Sequence, residues 1–337
     1  MNDFIDTAAR DLAIGIDLGG TNFRVAAYCG LGHAAAARAR GDSDTSFQTL
    51  AVHRSEVGAV RDPDAIADRV AKEVGALRDA HGDNIPVGVG FAGMFNSHGG
   101  FVKNSPHLGW RDVPFGDMLR RRLGDRVRVI NDVNAITYGE YALGAAADAS
   151  DVLAVFIGTG IGGGLIEDGR LVCGATGCAA ELGHSKVAWG EDARPCACGK
   201  RGCVEAYVGG QNLQRRVRAE LRGGARSIAV SLAGGADRVN PGHIDRAAER
   251  GDDYALDLYS EIAPLLGIAV ANAVTLTNPS HVILGGGVLS RTPVLREHAV
   301  AALEVAVNPP ALTNLVIADA ALGDDAGPIG AALLALG

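Results

Sequence analysis

Short apolar runs ending in glycine recur along the chain and predict its strands. Leu12–Asp17 and Asn22–Tyr28 are two such runs, with Leu18-Gly19-Gly20-Thr21 between them. That pattern reads as a β-hairpin with a glycine tip. Glycines there permit positive φ and let backbone N–H groups approach an anion. Thr21 adds a hydroxyl donor, and Asp17 at the strand end is placed to hold a hydrated Mg²⁺. From Asp62 to Ala80 the period changes. Ile66, Val70, Val74 and Leu77 recur at helical steps, Asp62 can cap, and Pro63 suits a first turn. Ile85–Gly93 reads as a buried strand, followed by a loop from Asn96 to Trp110. Asn104 in that loop suits a sugar hydroxyl and equally suits a turn.

Val127–Ile130 is a further strand, and the polar trio Asn131, Asp132 and Asn134 leads from it into a helix from Ala135 to Ala147. Ligands in open α/β sheets sit beyond the carboxyl ends of strands, which marks the trio for chemistry. Helix capping explains Asp132 or Asn131 as well. Val152–Ile157 runs into a second glycine loop, Gly158 to Gly164, with a hairpin suggested by Leu165–Val172. The loop lacks the Gly-Lys-Ser/Thr ending of a P-loop, and no crossover helix follows. Two such loops, one per half, suggest a phosphate clamp between related domains. Helices are expected from Glu205 to about Leu221, from Pro241 to about Leu276 and from Pro328 to about Leu336, with a connecting region from Gly223 to Asn240. His281–Gly287 is a third strand entering glycines, Gly285 and Gly286 among them. Close approach to a nucleotide's adenosine end and tight packing both account for it.

The densest chemistry lies between Glu181 and Glu205. Cys196, Cys198 and Cys203 fall within eight residues, and His184 stands twelve residues before the first. Three thiolates and an imidazole are the ligand set of a closed tetrahedral zinc site. Gly199 and Gly202 supply unhindered backbone where the chain folds back on one ion. Redox-active or merely buried thiols are the alternative reading, and the flanking glycines and upstream histidine favour zinc. Glu181 and Glu205 suit a polyhydroxy ligand.

Composition narrows the class. The 337 residues are 47% hydrophobic and 21% charged. With no evident apolar segment of about 18 residues, that describes a soluble globular protein of one large or two domains. The N-terminus has no basic-then-apolar leader. Clustered cysteines point to a metal in a reducing compartment, hence a cytoplasmic location, and no membrane partner is expected. The net charge of −8 and the absence of a basic face argue against nucleic acid, the Arg120-Arg121-Arg122 run being read as a solvated helix end.

Taken together, the chain resembles the ROK (repressor, open reading frame, kinase) family of sugar kinases. The resemblance rests on Ile14–Thr21, Asn131-Asp132, Gly158–Gly164, Glu181–His184, Cys196–Glu205 and Ile283–Val288, in the family's order. Leu108-Gly-Trp110 looks most like the family's glucokinases, while Ala180 stands where many relatives carry glycine. The resemblance implies an α/β, two-domain actin/hexokinase-like (ribonuclease H-like) fold with an interdomain cleft. An N-terminal domain over residues 1–130, with the helix at 328–337 packing back on it, would be joined to a C-terminal domain over 131–327. It implies that Asp17, Gly19, Gly20, Thr21, Asn22, Gly158, Thr159, Gly160, Gly162, Gly163, Gly285 and Gly286 hold Mg-ATP. Asn104, Asn131, Glu181, His184 and Glu205 would hold a hexose, with Asp132 as general base. His184, Cys196, Cys198 and Cys203 would bind a structural Zn²⁺. Glucose is the implied substrate, with N-acetylmannosamine, N-acetylglucosamine or fructose as alternatives and polyphosphate as an alternative donor. A dimer or tetramer is implied. The family's repressors carry an N-terminal helix-turn-helix, and only eleven residues precede the first strand, so a transcriptional repressor is a lesser expectation; Asp132 and both phosphate loops stand against a sugar-sensing regulator without kinase activity.

Overall fold

The computed structural model describes residues 11–42, 45–96 and 100–337. They form two compact units. The first comprises Met1–Ser150, Gly164–Ala179 and Ala320–Gly337, and the second comprises Asp151–Gly163 and Ala180–Asp319.

The first unit is built on β1 (Leu12–Leu18), β2 (Asn22–Cys29), β3 (Gln48–Glu56), β4 (Val87–Phe91) and a later strand, Val127–Asn131. Three short strands intervene: β5 (Met94–Asn96), β6 (Phe101–Ser105) and β7 (Trp110–Val113). The Val127–Asn131 strand is therefore β8, and the sheet order is β3-β2-β1-β4-β8. The Gly19-Gly20 hairpin makes β1 and β2 antiparallel, with Leu18 opposite Phe23, whereas β1–β4 and β4–β8 are parallel. The sheet is mixed, as a tight hairpin at its start requires.

Period-two alternation along β1 assigns its faces. Ile14, Ile16 and Leu18 enter one core with Val70, Val74 and Leu77 of the helix Pro63–His81, which Asp62 caps through Ala65 N at 3.0 Å. Ala13, Gly15 and Asp17 lie on the other face, under the C-terminal helix Ala326–Leu336. A Cβ on Gly15 would stand 1.8 Å from Pro328 O, and one on Gly88 would stand 1.8 Å from Ala331 O. The close approach excludes alanine, although glycine costs a strand about 0.5–1 kcal/mol. Gly330 and Gly139 bring the same helix against Asp132–Ala142, so packing carries the first unit to Ser150 rather than ending it at residue 130.

Several expected elements differ. The stretch expected as a loop from Asn96 to Trp110 contains β6 of a three-stranded antiparallel sheet and ends on the first residue of β7, with residues 97–99 outside the described ones. The helix expected at Ala135–Ala147 runs from Asp132 to Ala142, because Asn131 caps it.

The second sheet has the order β11-β10-β9-β12-β13. Its strands are β9 (Val152–Ile157), β10 (Ile161–Glu167), β11 (Arg170–Leu171), β12 (His281–Gly285) and β13 (Val316–Asp319). The helix expected from Pro241 to Leu276 is two, Pro241–Ala248 and Asp253–Thr277, because Gly251 turns the chain at φ 75° and Asp252 recaps it. Gly209 likewise divides the expected Glu205–Leu221 helix into Glu205–Val208 and Gly210–Arg222. The connecting region holds a short helix, Ala229–Ala233. Asp253–Thr277 is, among the described residues, the one helix long and apolar enough to cross a membrane. Its Leu258, Ile262, Leu266, Val270 and Val274 form the second unit's core.

Candidate active site

In the first unit the polar residues gather at the ends of β1, β4 and β8. Asn131 uses both ends of its amide. Its oxygen accepts from Asn134 N at 3.0 Å as the helix cap, and its Nδ2 donates to Gly93 O at 3.1 Å and Asp132 Oδ1 at 3.0 Å. The capping role thus falls to Asn131, and Asp132 occupies the first turn. Burial pushes the Asp132 carboxyl up. Hydrogen bonds from the backbone N–H groups of Val133 and Asp132, the nearby His107 and the Asn131 amide oppose that shift in part. A carboxylate raised this way is a better proton acceptor than an ordinary aspartate.

Asp17 is pushed up to about 6, first by burial and then by the negative charge of Asp132, with Arg24 opposing. Two carboxylates, the charge of one raising the other, fit a cation, so Asp17 suits a hydrated Mg²⁺. Asn104 lies on β6, and its carbonyl oxygen is 3.1 Å from where a Cβ on Gly93 would be. Gly93 is therefore wedged between Asn104 and Asn131. The hairpin glycines differ from expectation: neither Gly19 nor Gly20 has positive φ. Gly20 is required sterically, since a Cβ there would meet His107 Cβ at 2.6 Å. Thr21 O accepts from Val57 N at 2.8 Å, and Asn22 O accepts from Gly19 N at 3.1 Å, which fixes the tip.

In the second unit the site stands on loops. His184 ends a single 3₁₀ turn, and Cys196, Cys198 and Cys203 follow on irregular chain stitched by the bridges Lys186–Cys203 and Pro195–Arg201. Gly199 and Gly202 take φ of 82° and 77°, and Gly202 passes against Ala188 O. The four donor atoms lie within 4.8 Å of one another. Cys198 Sγ to Cys203 Sγ is 3.7 Å, and Cys196 Sγ to His184 Nδ1 is 3.7 Å. A tetrahedral ion with Zn–S bonds of about 2.3 Å sets its sulfurs roughly 3.8 Å apart, so the donor set fits zinc. Burial pushes the Cys196 thiol up to about 12. The Cys198 thiol is lowered against its own burial by the N–H of Lys200 and the neighbouring sulfurs. Lys186 Nζ lies 2.9 Å from Cys203 Sγ, a cation already beside the sulfurs.

Glu205 follows the last cysteine and turns back. Its Oε2 accepts from Ile161 N at 2.9 Å, and Cys196 Sγ is 3.8 Å from its Oε1. A Cβ on Gly160 would collide with that carboxylate at 2.3 Å. The Gly158–Gly164 loop is further held by Gly210 N to Gly158 O and Gln211 N to Thr159 O, each at 3.0 Å. Gly163 passes Ala180 O, where a Cβ would be 2.4 Å away, while Gly162 lies on β10. Glu181 precedes the His184 turn, next to Ala180 at φ 59°. Gly286, at φ 91°, folds against Ile157 N and O beside Gly285 at the end of β12, so tight packing accounts for this glycine. Arg61, Arg24 and His107 carry no signal in the sequence pattern, yet they contact the first unit's site residues.

The ROK family profile matches residues 13–337. The chain is 32% identical to the glucokinase of Thermotoga maritima over 322 residues, 95% of each protein. It is 34% identical to that of Streptomyces coelicolor over 279 residues, 82% of each. A crystal structure of a ROK family glucokinase from Streptomyces griseus in complex with glucose and AMPPNP superposes with a TM-score of 0.76. That pair is 30% identical, and the match covers 96% of this chain and 98% of that one. Fold and relatives define an α/β sugar kinase of the two-domain actin/hexokinase-like class. The chain belongs to the ROK family.

Proposed function

We propose that this protein is an ATP-dependent hexose kinase that phosphorylates glucose at its 6-hydroxyl. The observation that carries the reading is the division of labour at Asn131 and Asp132. The asparagine caps the helix, so the aspartate carboxyl, raised by burial, is not spent on the cap. In phosphoryl transfer the protein's work is positioning and charge stabilisation, with one carboxylate accepting the nucleophile's proton. Asp132 takes that proton from the sugar hydroxyl. Asn104 and Asn131 from the first unit, and Glu181, His184 and Glu205 from the second, bind the remaining hydroxyls. The Gly19-Gly20 hairpin and the Gly158–Gly163 loop hold the nucleotide phosphates, with Asp17 toward Mg²⁺, which supplies charge neutralisation when bound. Gly285 and Gly286 border the nucleotide at the end of β12. His184, Cys196, Cys198 and Cys203 hold Zn²⁺, whose contribution when bound is a structural cross-link. His184 Nδ1 is the nitrogen on the thiol side, which leaves Nε2 for the sugar.

An assay of sugar phosphate formed from glucose, N-acetylmannosamine, N-acetylglucosamine and fructose, with ATP or polyphosphate as donor, and of ADP release in the ATP arm, tests the reading. The highest kcat/KM is expected for glucose with ATP. A higher value on N-acetylmannosamine or fructose would refute the substrate, and absence of phosphorylation with every pair would refute the kinase.

A further inference from the structure

Arg61 stands outside the residues assigned to catalysis or binding, on exposed chain just before the helix Pro63–His81. Its backbone is nevertheless anchored in the core. Trp110 Nε1 donates to Arg61 O at 2.6 Å, and Trp110 is buried, stacked on Phe91 at 5.4 Å and tilted against Phe115 at 5.0 Å. From this fixed base the guanidinium reaches across to two carbonyls with one nitrogen. Nη1 donates to Gly20 O at the tip of the phosphate hairpin, and to His107 O, 3.1 Å away, in the segment between Asn104 and Trp110. The two segments also touch directly, because Gly20 has no Cβ to hold His107 off. One side chain therefore joins the hairpin read as the nucleotide's phosphate site to the segment read as part of the acceptor's site. Arg61 lies 41 and 46 residues from its two acceptors along the chain.

We propose that Arg61 is a positioning residue that couples nucleotide binding to sugar binding. Phosphates drawing on the Gly20 hairpin set the Asn104–Trp110 segment through Arg61, so each ligand tightens the other. The inference rests on the kinase reading and adds to it a linkage between the two substrates. Coupling of this kind is reciprocal and is measured as a ratio of affinities.

The test is calorimetric titration of the full-length, zinc-loaded protein with glucose, with and without saturating Mg-AMPPNP. Wild type should bind glucose about 5-fold or more tighter with the nucleotide present, the lower end of ordinary coupling. In Arg61→Ala that factor should fall to within about 2-fold of unity, with glucose affinity in the absence of nucleotide changing less. Arg61→Lys should keep part of the coupling, because a single nitrogen makes both contacts and an ammonium can replace it. Arg40→Ala, a change of an exposed arginine paired with Asp42 and away from the hairpin and the Asn104–Trp110 segment, should keep all of it. Unchanged coupling in Arg61→Ala overturns the proposal, as does wild type that binds both ligands without coupling. In either case the kinase reading stands. Wild type that binds neither ligand overturns both.

Discussion

The two units place their polar residues by different means. In the first, Asp132 sits on the opening turn of a regular helix that Asn131 caps. That helix is wedged against the C-terminal helix by Gly139 and Gly330, whose Cβ atoms would strike Ala326 O and Ala135 O. In the second, His184 and Glu205 hang from a single 3₁₀ turn and one turn of helix, joined by irregular chain. Secondary structure orients the first pair. In the second, backbone bridges, two left-handed glycines and a cluster of four potential metal donors do so. A side chain on a packed helix keeps its place without help, while one on a loop needs a cross-link. The two halves should therefore fail differently when perturbed.

The largest effect is expected at Asp132. Asp132→Asn keeps the shape and the hydrogen bonding but cannot take a proton, so kcat should fall by about 10²–10⁴, with sugar affinity much less affected. Stopped-time assays and glucose titration on the folded, zinc-loaded variant check this. Activity within a few-fold of wild type would move the catalytic role elsewhere.

Next comes Cys198→Ser, which attacks the cross-link. Zinc content, measured by atomic absorption, should drop from one per chain to near zero. Activity should fall by at least about 10-fold, because metal-site perturbations commonly cost that much. Hydrogen exchange should rise around residues 182–205 and stay unchanged in the helix Asp132–Ala142. Equal loosening of both regions would erase the contrast between the units.

A smaller effect is expected at Asp17. Its carboxyl is held near 6 in the folded chain against an ordinary value of 3.8, so the ionised form is disfavoured by folding. Above about pH 6 the native state carries that penalty in full, and below about pH 4 both states are protonated and it vanishes. Asp17→Asn, melted zinc-loaded without Mg²⁺ or nucleotide, should show a higher Tm than wild type at pH 7 and an equal one near pH 4. A gain that persists at pH 4 would place the effect in packing. Smallest of all is Ala180→Gly. Ala180 sits at φ 59°, where a Cβ is strained, so glycine should add up to about 1 kcal/mol, less its own entropy cost. Urea midpoints measure it.

Much of this was legible where signals are local. The long strands of the first sheet announce themselves as apolar runs, and the helix Pro63–His81 by its period and its Asp62-Pro63 start. The four clustered donors, His184, Cys196, Cys198 and Cys203, are close in sequence and chemically distinctive. The short strands β5 to β7 were not legible, since three to five residues with mixed burial carry no clear period. The break at Gly251 separates two helical runs so closely that Gly251 and the cap Asp252 read as interior positions of one helix. At the site, the two glycine segments announced themselves, but the reason for Gly20 did not. It lies in His107, far along the chain. Arg61 was invisible for the same cause, since its contacts are backbone carbonyls and leave no trace in residue type.

The C-terminal helix sets an order of assembly. Its carbonyls press against Gly15 and Gly88 of the first sheet, and the turn before it is fastened by Ala321 N and Leu322 N donating to the buried Glu140 at 3.0 and 2.8 Å. These residues leave the ribosome after all of the second unit. A nascent chain can thus hold the whole later unit while the earlier one still lacks the helix that covers Ala13, Gly15 and Asp17 of β1. Domains generally fold as units during synthesis, N-terminal first. Here the unit begun first is the last to receive all of its residues.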